Sequence, residues 1–271
     1  MGRELRLSRC RACGLLVRVP LPSPEELNHR YKEEYWAQYQ TEQIKAARQN
    51  LYAHVLGWLG NLHPGQGILV DVGCGGGGFL SFCQQAGWKG IGFDPSAQAI
   101  AYARERGFEV FEQGWPACSL PDGSADVVTF INVLDHLRDP FGALQEAWRI
   151  LRLGGLLYIR VPNGPVHIWI QSALGGSGLV RLSVFHLYGF GRRAFLYHLS
   201  RLGFAVLGVR TAPPSLHDVY EGSGWWMPLL RTALKKAVIL LYLTLNCVGL
   251  NRLPWGTSIE VMARKGPFDA R

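Results

Sequence analysis

The run Leu69-Val70-Asp71-Val72-Gly73-Cys74-Gly75-Gly76-Gly77-Gly78-Phe79 places glycines directly after an apolar stretch, with an acid two residues before the first of them. Glycine permits a tight turn and lets a ligand approach the main chain at a helix N-terminus, so this loop binds something. Gly73, Gly75 and Gly78 also satisfy G-x-G-x-x-G, the spacing that serves dinucleotides, and the turn alone does not choose between nucleotide cofactors. Asp94, in Gly90-Ile91-Gly92-Phe93-Asp94-Pro95, is an acid at a strand end that can accept hydrogen bonds from both ribose hydroxyls. It supports a nucleoside without naming one.

Strand and helix signals alternate around these residues. Ile68–Val72, Gly90–Phe93, Phe108–Phe111, Asp126–Ile131 and Leu156–Val161 read as strands, and Gly77–Ala86, Ser96–Arg106 and Pro140–Leu151 as the helices between them. Crossovers of this length imply an α/β fold: a parallel sheet with helices on both faces. Asp139-Pro140 reads as a helix start, and Gly87, Gly107 and Gly154 as helix stops. Upstream, Ser23 to Gly60 has a helical pattern that should pack on the edge of the core. Beyond Pro162 the order loosens until a helix over Arg192–Leu202 and strands over Phe204–Val209 and Ser258–Ala263.

With Asp71 ahead of Gly73, Gly75 and Gly77, the loop reads D-x-G-x-G-x-G, which resembles the first motif of class I S-adenosylmethionine-dependent methyltransferases. The resemblance continues through Asn132-Val133-Leu134-Asp135-His136-Leu137-Arg138-Asp139-Pro140, similar to the family's V-L-E-H-L-x-D-P run with Asp135 in place of Glu. Ile150-Leu151-Arg152-Leu153-Gly154-Gly155 looks like its L-K-P-G-G turn. It also covers the flanks Cys10–Tyr35, His186–Phe204 and Ser258–Lys265.

The resemblance implies a Rossmann-like, doubly wound, mainly parallel seven-stranded sheet with an N-terminal helical flap and a C-terminal helical insertion. It implies S-adenosyl-L-methionine as cofactor, held by Asp71, Gly73, Gly75, Gly77, Asp94, Pro95 and Asn132. Where family members often carry a small acid for the adenine amine, the chain has Glu112-Gln113-Gly114-Trp115-Pro116. Gln113 can replace that acid or Trp115 can stack on the base; an ordinary buried tryptophan is the alternative.

A sulfonium methyl is already electrophilic, so the protein's task is to align the acceptor and keep its nucleophile unprotonated. His136, just beyond the fourth strand, is the first candidate base, against a capping or packing role. His186 and Tyr188 should enter the mouth of the site and position the acceptor or move a proton, or else anchor a loop.

The net charge of +8 is uneven: residues 1–20 carry five Arg against one Glu, residues 21–180 carry 11 basic against 15 acidic, and residues 181–271 carry 12 basic against 4 acidic. Basic ends suit an anionic partner or simply a solvated surface. Six cysteines are too few for a disulfide scaffold, and the N-terminus has no apolar signal run, which points to the cytoplasm. Cys10-x-x-Cys13-Gly14 has the spacing of half a zinc ribbon with no second pair, so no metal is expected.

Residues 1–60 are expected to form the N-terminal segment and 61–271 the main domain, with 211–256 as a lid or insertion. Its stretch 226–250, basic then apolar, is too short to span a bilayer. It suits a membrane-interface helix, a cover over a lipid-like substrate, or a packed lid. The expected acceptor is a small molecule, such as a sugar, isoprenoid or polyketide-like compound. Nucleic acid is not expected as a partner. The rivals are a nicotinamide-dependent oxidoreductase and a noncatalytic protein that binds nucleic acid or membrane.

Overall fold

Ile68–Val72 (β3) alternates its side chains between two apolar layers, as an extended strand must. Val70 and Val72 face one core together with Phe93, Phe130 and Ile159, while Leu69 faces a second with Val127, Leu156 and Tyr158. Both faces of this strand are therefore covered, and it lies at the centre of the sheet. The computed structural model describes residues 6–29, 31–32, 48–63, 66–174, 186–213, 240, 242–244, 249–250 and 255–267.

The main sheet also contains Lys89–Asp94 (β4), Glu109–Glu112 (β5), Ala125–Ile131 (β6), Leu151–Pro162 (β7), Phe204–Thr211 (β9) and Ser258–Lys265 (β10). Its order is β5-β4-β3-β6-β7-β10-β9. The first five run parallel, and β10 pairs antiparallel with both β7 and β9. The strand order reverses beside β3, and in such sheets ligands bind outside the carboxyl ends at that crevice.

The layers are helical. Pro140–Ile150 (α5) buries Ala143, Leu144, Ala147 and Ile150 on one face of the sheet, and Gln49–Leu62 (α2) buries Leu51, Tyr52, Val55 and Leu59 on the other. Gly78–Gln85 (α3) and Ala97–Glu105 (α4) complete the first crossovers, and Arg192–Arg201 (α7) precedes β9. Helix α2 is also fastened through charge. Glu260, fully buried on β10, accepts hydrogen bonds from His54 Nε2 at 2.9 Å, Arg210 Nε at 2.6 Å and Tyr158 Oη at 2.8 Å, and Arg210 lies 3.4 Å above the Trp58 ring.

Several starts agree with the sequence. Ser96 caps α4, accepting from Ala99 N at 3.3 Å, and Asp139 caps α5, accepting from Gly142 N at 2.9 Å. The helical stretch from Ser23 begins with Pro24–His29 (α1), where Ser23 and Glu26 form a reciprocal capping box. Residues 33–47 of that stretch lie outside the described residues, as does nearly all of the expected insertion 211–256, including most of 226–250.

Other expectations are corrected. Gly154 does not stop a helix: α5 ends at Ile150, and β7 begins five residues earlier than expected, so Gly154 lies inside the strand. Past Pro162 the chain forms a helix, Gly164–Leu174 (α6). The N-terminal segment also contains Arg6–Arg9 (β1) and Leu16–Val19 (β2), joined by a turn closed by Cys10 N to Leu15 O at 2.8 Å. With Tyr188–Gly189 (β8) they form a separate antiparallel sheet, in which Leu16 faces Gly189 and Val17 faces Tyr188.

Candidate functional site

The glycine loop bends where β3 ends. Gly73 and Gly77 have φ of +73° and +79°, the left-handed region that side chains disfavour. Packing forbids a side chain as well: a Cβ on Gly73 would lie 2.3 Å from Val133 Cγ2, and one on Gly77 2.6 Å from Phe108 Cδ2. The amides of Gly73 and Cys74 donate to the Phe93 carbonyl at 2.7 and 3.1 Å, tying the loop to β4.

Asp94 ends β4, and each of its oxygens is engaged by the main chain. Oδ2 accepts from Gly75 N and Oδ1 from Ser96 N, both at 2.9 Å. Burial pushes this carboxyl up, against the two amide hydrogen bonds. Each oxygen can still accept from a ligand hydroxyl, because a carboxylate offers about four lone-pair positions. Asp71 is buried on β3 and accepts from Thr129 Oγ1 at 2.7 Å. Burial pushes its carboxyl up to about 7, even against that hydrogen bond.

These residues open onto a cleft with about 880 Å³ of free space, counted out to its mouth. Asp71, Gly73, Asp94, Pro95 and Asn132 line it as expected, together with Phe79, Ile131, Leu137 and His136. Asn132 has φ +59°, and its amide donates to the Arg160 carbonyl at 2.8 Å while the Arg160 guanidinium donates to its side-chain oxygen. Such backbone strain costs about 1–3 kcal/mol and concentrates at ligand sites.

Three further residues that line the cleft were not identified from the sequence: Tyr31, Arg48 and Tyr52. Arg48 directly precedes α2 and Tyr52 lies on its first turn, so a segment expected only to pack on the edge supplies a wall and a cation. Only the helical pattern of that stretch was a signal, and it does not show which face meets the loop.

Gln113 follows β5, and its Oε1 is buried with no hydrogen-bond partner among the described residues. Gln113, like Gly75 and Gly77, is not among the residues that line the cleft, but an unpaired acceptor at a carboxyl strand end suits a ligand amine. Trp115 takes the other course considered for it: its indole donates to the Ala143 carbonyl at 2.9 Å and packs edge-on against Phe93 and Phe130 in the core. It is absent from the cleft lining and is corrected to a core residue.

A polar cluster follows β6. Leu134–His136 forms a single 3-10 turn. His136 Nδ1 is hydrogen-bonded to Tyr31 Oη at 3.0 Å, and its Nε2 lies 3.7 Å from Asp135 Oδ2. The same Asp135 oxygen is hydrogen-bonded to His186 Nδ1, and the two imidazole rings lie 4.7 Å apart. Burial pushes the Asp135 carboxyl up, but the charges of His136 and His186 and the hydrogen bond from His186 outweigh that and hold it below its ordinary value. Tyr188, expected beside His186 in the site, donates its hydroxyl to the Arg138 carbonyl at 2.9 Å and does not line the cleft. It fastens the turn, which corrects the catalytic expectation placed on it.

Residues 35–209 match a family model described as a methyltransferase domain. Over 120 residues the chain is 31% identical to a ubiquinone biosynthesis O-methyltransferase from Methylococcus capsulatus, covering 42% of this chain and 51% of that protein. Over 146 residues it is 31% identical to the tRNA (carboxymethyluridine(34)-5-O)-methyltransferase ALKBH8 of Macaca fascicularis, covering 51% of this chain and 22% of that one. The chain thus spans about half the length, or less, of these relatives. Among solved structures it is similar to the magnesium protoporphyrin IX methyltransferase of Synechocystis PCC 6803 with bound SAH, at TM-score 0.60 and 13% identity over 90% of this chain and all of that one. A SAM-dependent methyltransferase from Archaeoglobus fulgidus matches at TM-score 0.57 and 19% identity, over 86% of this chain and all of that one.

Proposed function

Because the chain belongs to the class I S-adenosylmethionine-dependent methyltransferase family, we propose that it methylates a small molecule carrying a hydroxyl, docked where His136 meets the cofactor cleft. The cofactor is S-adenosyl-L-methionine, and the residues present fit it. Asp94 offers two anchored oxygens to ribose hydroxyls, and the open Gln113 Oε1 suits the adenine amine. Arg48 brings a positive charge for a carboxylate, and the loop from Gly73 to Gly77 lets the main chain come close. When bound, the cofactor supplies a methyl carbon made electrophilic by its sulfonium.

The observation that carries the acceptor reading is the pairing of His136 and His186 around the buried Asp135. A base beside a methyl donor is needed for a hydroxyl, which is a poor nucleophile while protonated. Asp135 holds His186 by a hydrogen bond and lies 3.7 Å from His136 Nε2, His136 lines the cleft, and His186 remains about a third exposed, so a proton has a route to solvent.

The test is transfer of labelled methyl groups from the cofactor into a cell extract split into small molecules and RNA. Label should enter the small-molecule fraction as an alkali-stable ether and fall at least about 100-fold for His136→Ala, within the range for loss of a general base. Label confined to RNA would overturn the acceptor class, with the tRNA-modifying relative as the precedent.

A further inference from the structure

Asp135, His136 and His186 each offer one ligating atom, and those atoms all lie within 4.8 Å of one another. Asp135 is 1% exposed. Its Oδ2 is shared by the two imidazoles, while its Oδ1 is buried with no hydrogen-bond partner among the described residues. The other buried carboxylates are treated differently. Asp71 is met by Thr129, Asp94 by two amides, and Glu260 by His54, Arg210 and Tyr158. A buried carboxylate with an open oxygen and two imidazoles at its edge carries lone pairs that the described residues do not satisfy.

The outer contact points the same way. Tyr31 holds His136 at Nδ1, leaving Nε2 toward Asp135. A hydrogen bond on the far ring nitrogen is the usual means of fixing the tautomer and orientation of a metal-bound histidine.

We propose that Asp135, His136 and His186 bind a divalent transition-metal ion whose open positions receive the oxygens of the methyl acceptor. Two nitrogens and one carboxylate favour Zn²⁺, Mn²⁺, Fe²⁺ or Co²⁺ over Mg²⁺ and Ca²⁺, which prefer all-oxygen sites. In the metal-free protein the hydrogen bond between His186 and Asp135 occupies the ion's place, and binding displaces that proton. The acceptor class narrows to a hydroxyl with a second oxygen beside it, able to chelate. On binding, the hydroxyl oxygen takes a coordination position and its proton leaves to water, because a bound cation stabilises the oxyanion; with the ion bound, His136 is a ligand and the ion takes over the deprotonating role that His136 has as a base in the metal-free reading.

The proposal rests on the reading that the acceptor docks beside His136, so its test must separate the two. Chelator-treated protein, carrying Cys10→Ser and Cys13→Ser to remove the dithiol turn, is titrated with Co²⁺ while visible ligand-field bands are followed. Binding of S-adenosylhomocysteine is measured on the same samples as a check on the fold. Stoichiometric bands are expected, weakened more than about 100-fold by Asp135→Asn and by His186→Ala, and by about 10-fold by Tyr31→Phe, as for an outer-shell loss. Cobalt bands absent from the parent, or unchanged in both ligand variants, would overturn the metal site. If methyl transfer then survived chelator, the methyltransferase reading would stand without it. Bands present and lost as expected, with no transfer to any hydroxyl, would leave the ion and overturn the acceptor reading.

Discussion

The amide of Gly75 donates to Asp94 Oδ2 at 2.9 Å, so one hydrogen bond sets both the glycine loop and the acid that ends the next strand. Ser96 N holds the other oxygen. The carboxylate is thereby aimed before any ligand arrives, which removes an ordering cost from binding.

Asp94→Asn would place amide hydrogens against at least one of these main-chain donors while removing an acceptor for the ribose. Affinity for S-adenosylhomocysteine should fall by about 10- to 100-fold, the scale of one charge-assisted hydrogen bond. Calorimetry reads this directly, and NAD titrated in parallel should bind neither protein.

Gly73→Ala meets both a left-handed backbone and the Val133 methyl group, whereas Gly107→Ala at φ +81° meets only the backbone, with no atom within 4 Å of its Cβ. In urea unfolding, Gly107→Ala should cost about 1 kcal/mol and Gly73→Ala about 2 kcal/mol more. Equal losses would mean that Val133 moves aside freely.

Asp71 gives stability an unusual pH dependence. Its carboxyl rises from 3.8 to about 7 on burial, so between those values the folded protein keeps a proton that the unfolded chain has released. Stability from this residue therefore falls as pH rises across that window and is flat above it. Asp71→Asn should remove the decline, so the difference in melting temperature between variant and parent should grow in the variant's favour from pH 4 to pH 7. A difference independent of pH would show that Asp71 titrates normally.

Glu260 behaves in the opposite sense. Burial pushes its carboxyl up, but His54 and Arg210 outweigh that and hold it below 4.5. Its contribution is present above that value and lost as pH falls through its lowered folded value. Glu260→Gln leaves Arg210 without its anion inside the fold and should cost about 3 kcal/mol at neutral pH, less in acid. Chemical denaturation at both pH values checks this.

The alternation of strands and helices from Ile68 to Val161 was legible because the central strands are apolar runs and the helices after Ser96 and Asp139 carry those residues as caps. The cofactor loop was legible for a related reason: a turn that excludes side chains at Gly73 and Gly77 leaves glycines in the sequence. Arg48 and Tyr31 were not, since they lie 25 and 42 residues before Gly73 and reach the cleft only through packing that a local pattern does not encode. Trp115 kept two readings until its indole was seen to donate to Ala143, a partner 28 residues away. Strands β1, β2 and β8 are two to four residues long, and Leu16 finds Gly189 across most of the chain, beyond the reach of local pattern.

The small sheet of β1, β2 and β8 has one more implication. Arg18 N donates to the Leu187 carbonyl at 2.9 Å, directly beside His186, while the family match begins only at residue 35. Strands β1 and β2 thus come from outside the matched segment, while β8, which they pair with, lies inside it, so the backbone beside His186 is braced by a part of the chain that the family match does not include. Changes in β1 and β2 therefore reach the backbone at Leu187 without touching the glycine loop, which makes this hairpin a separable handle on the surroundings of His186.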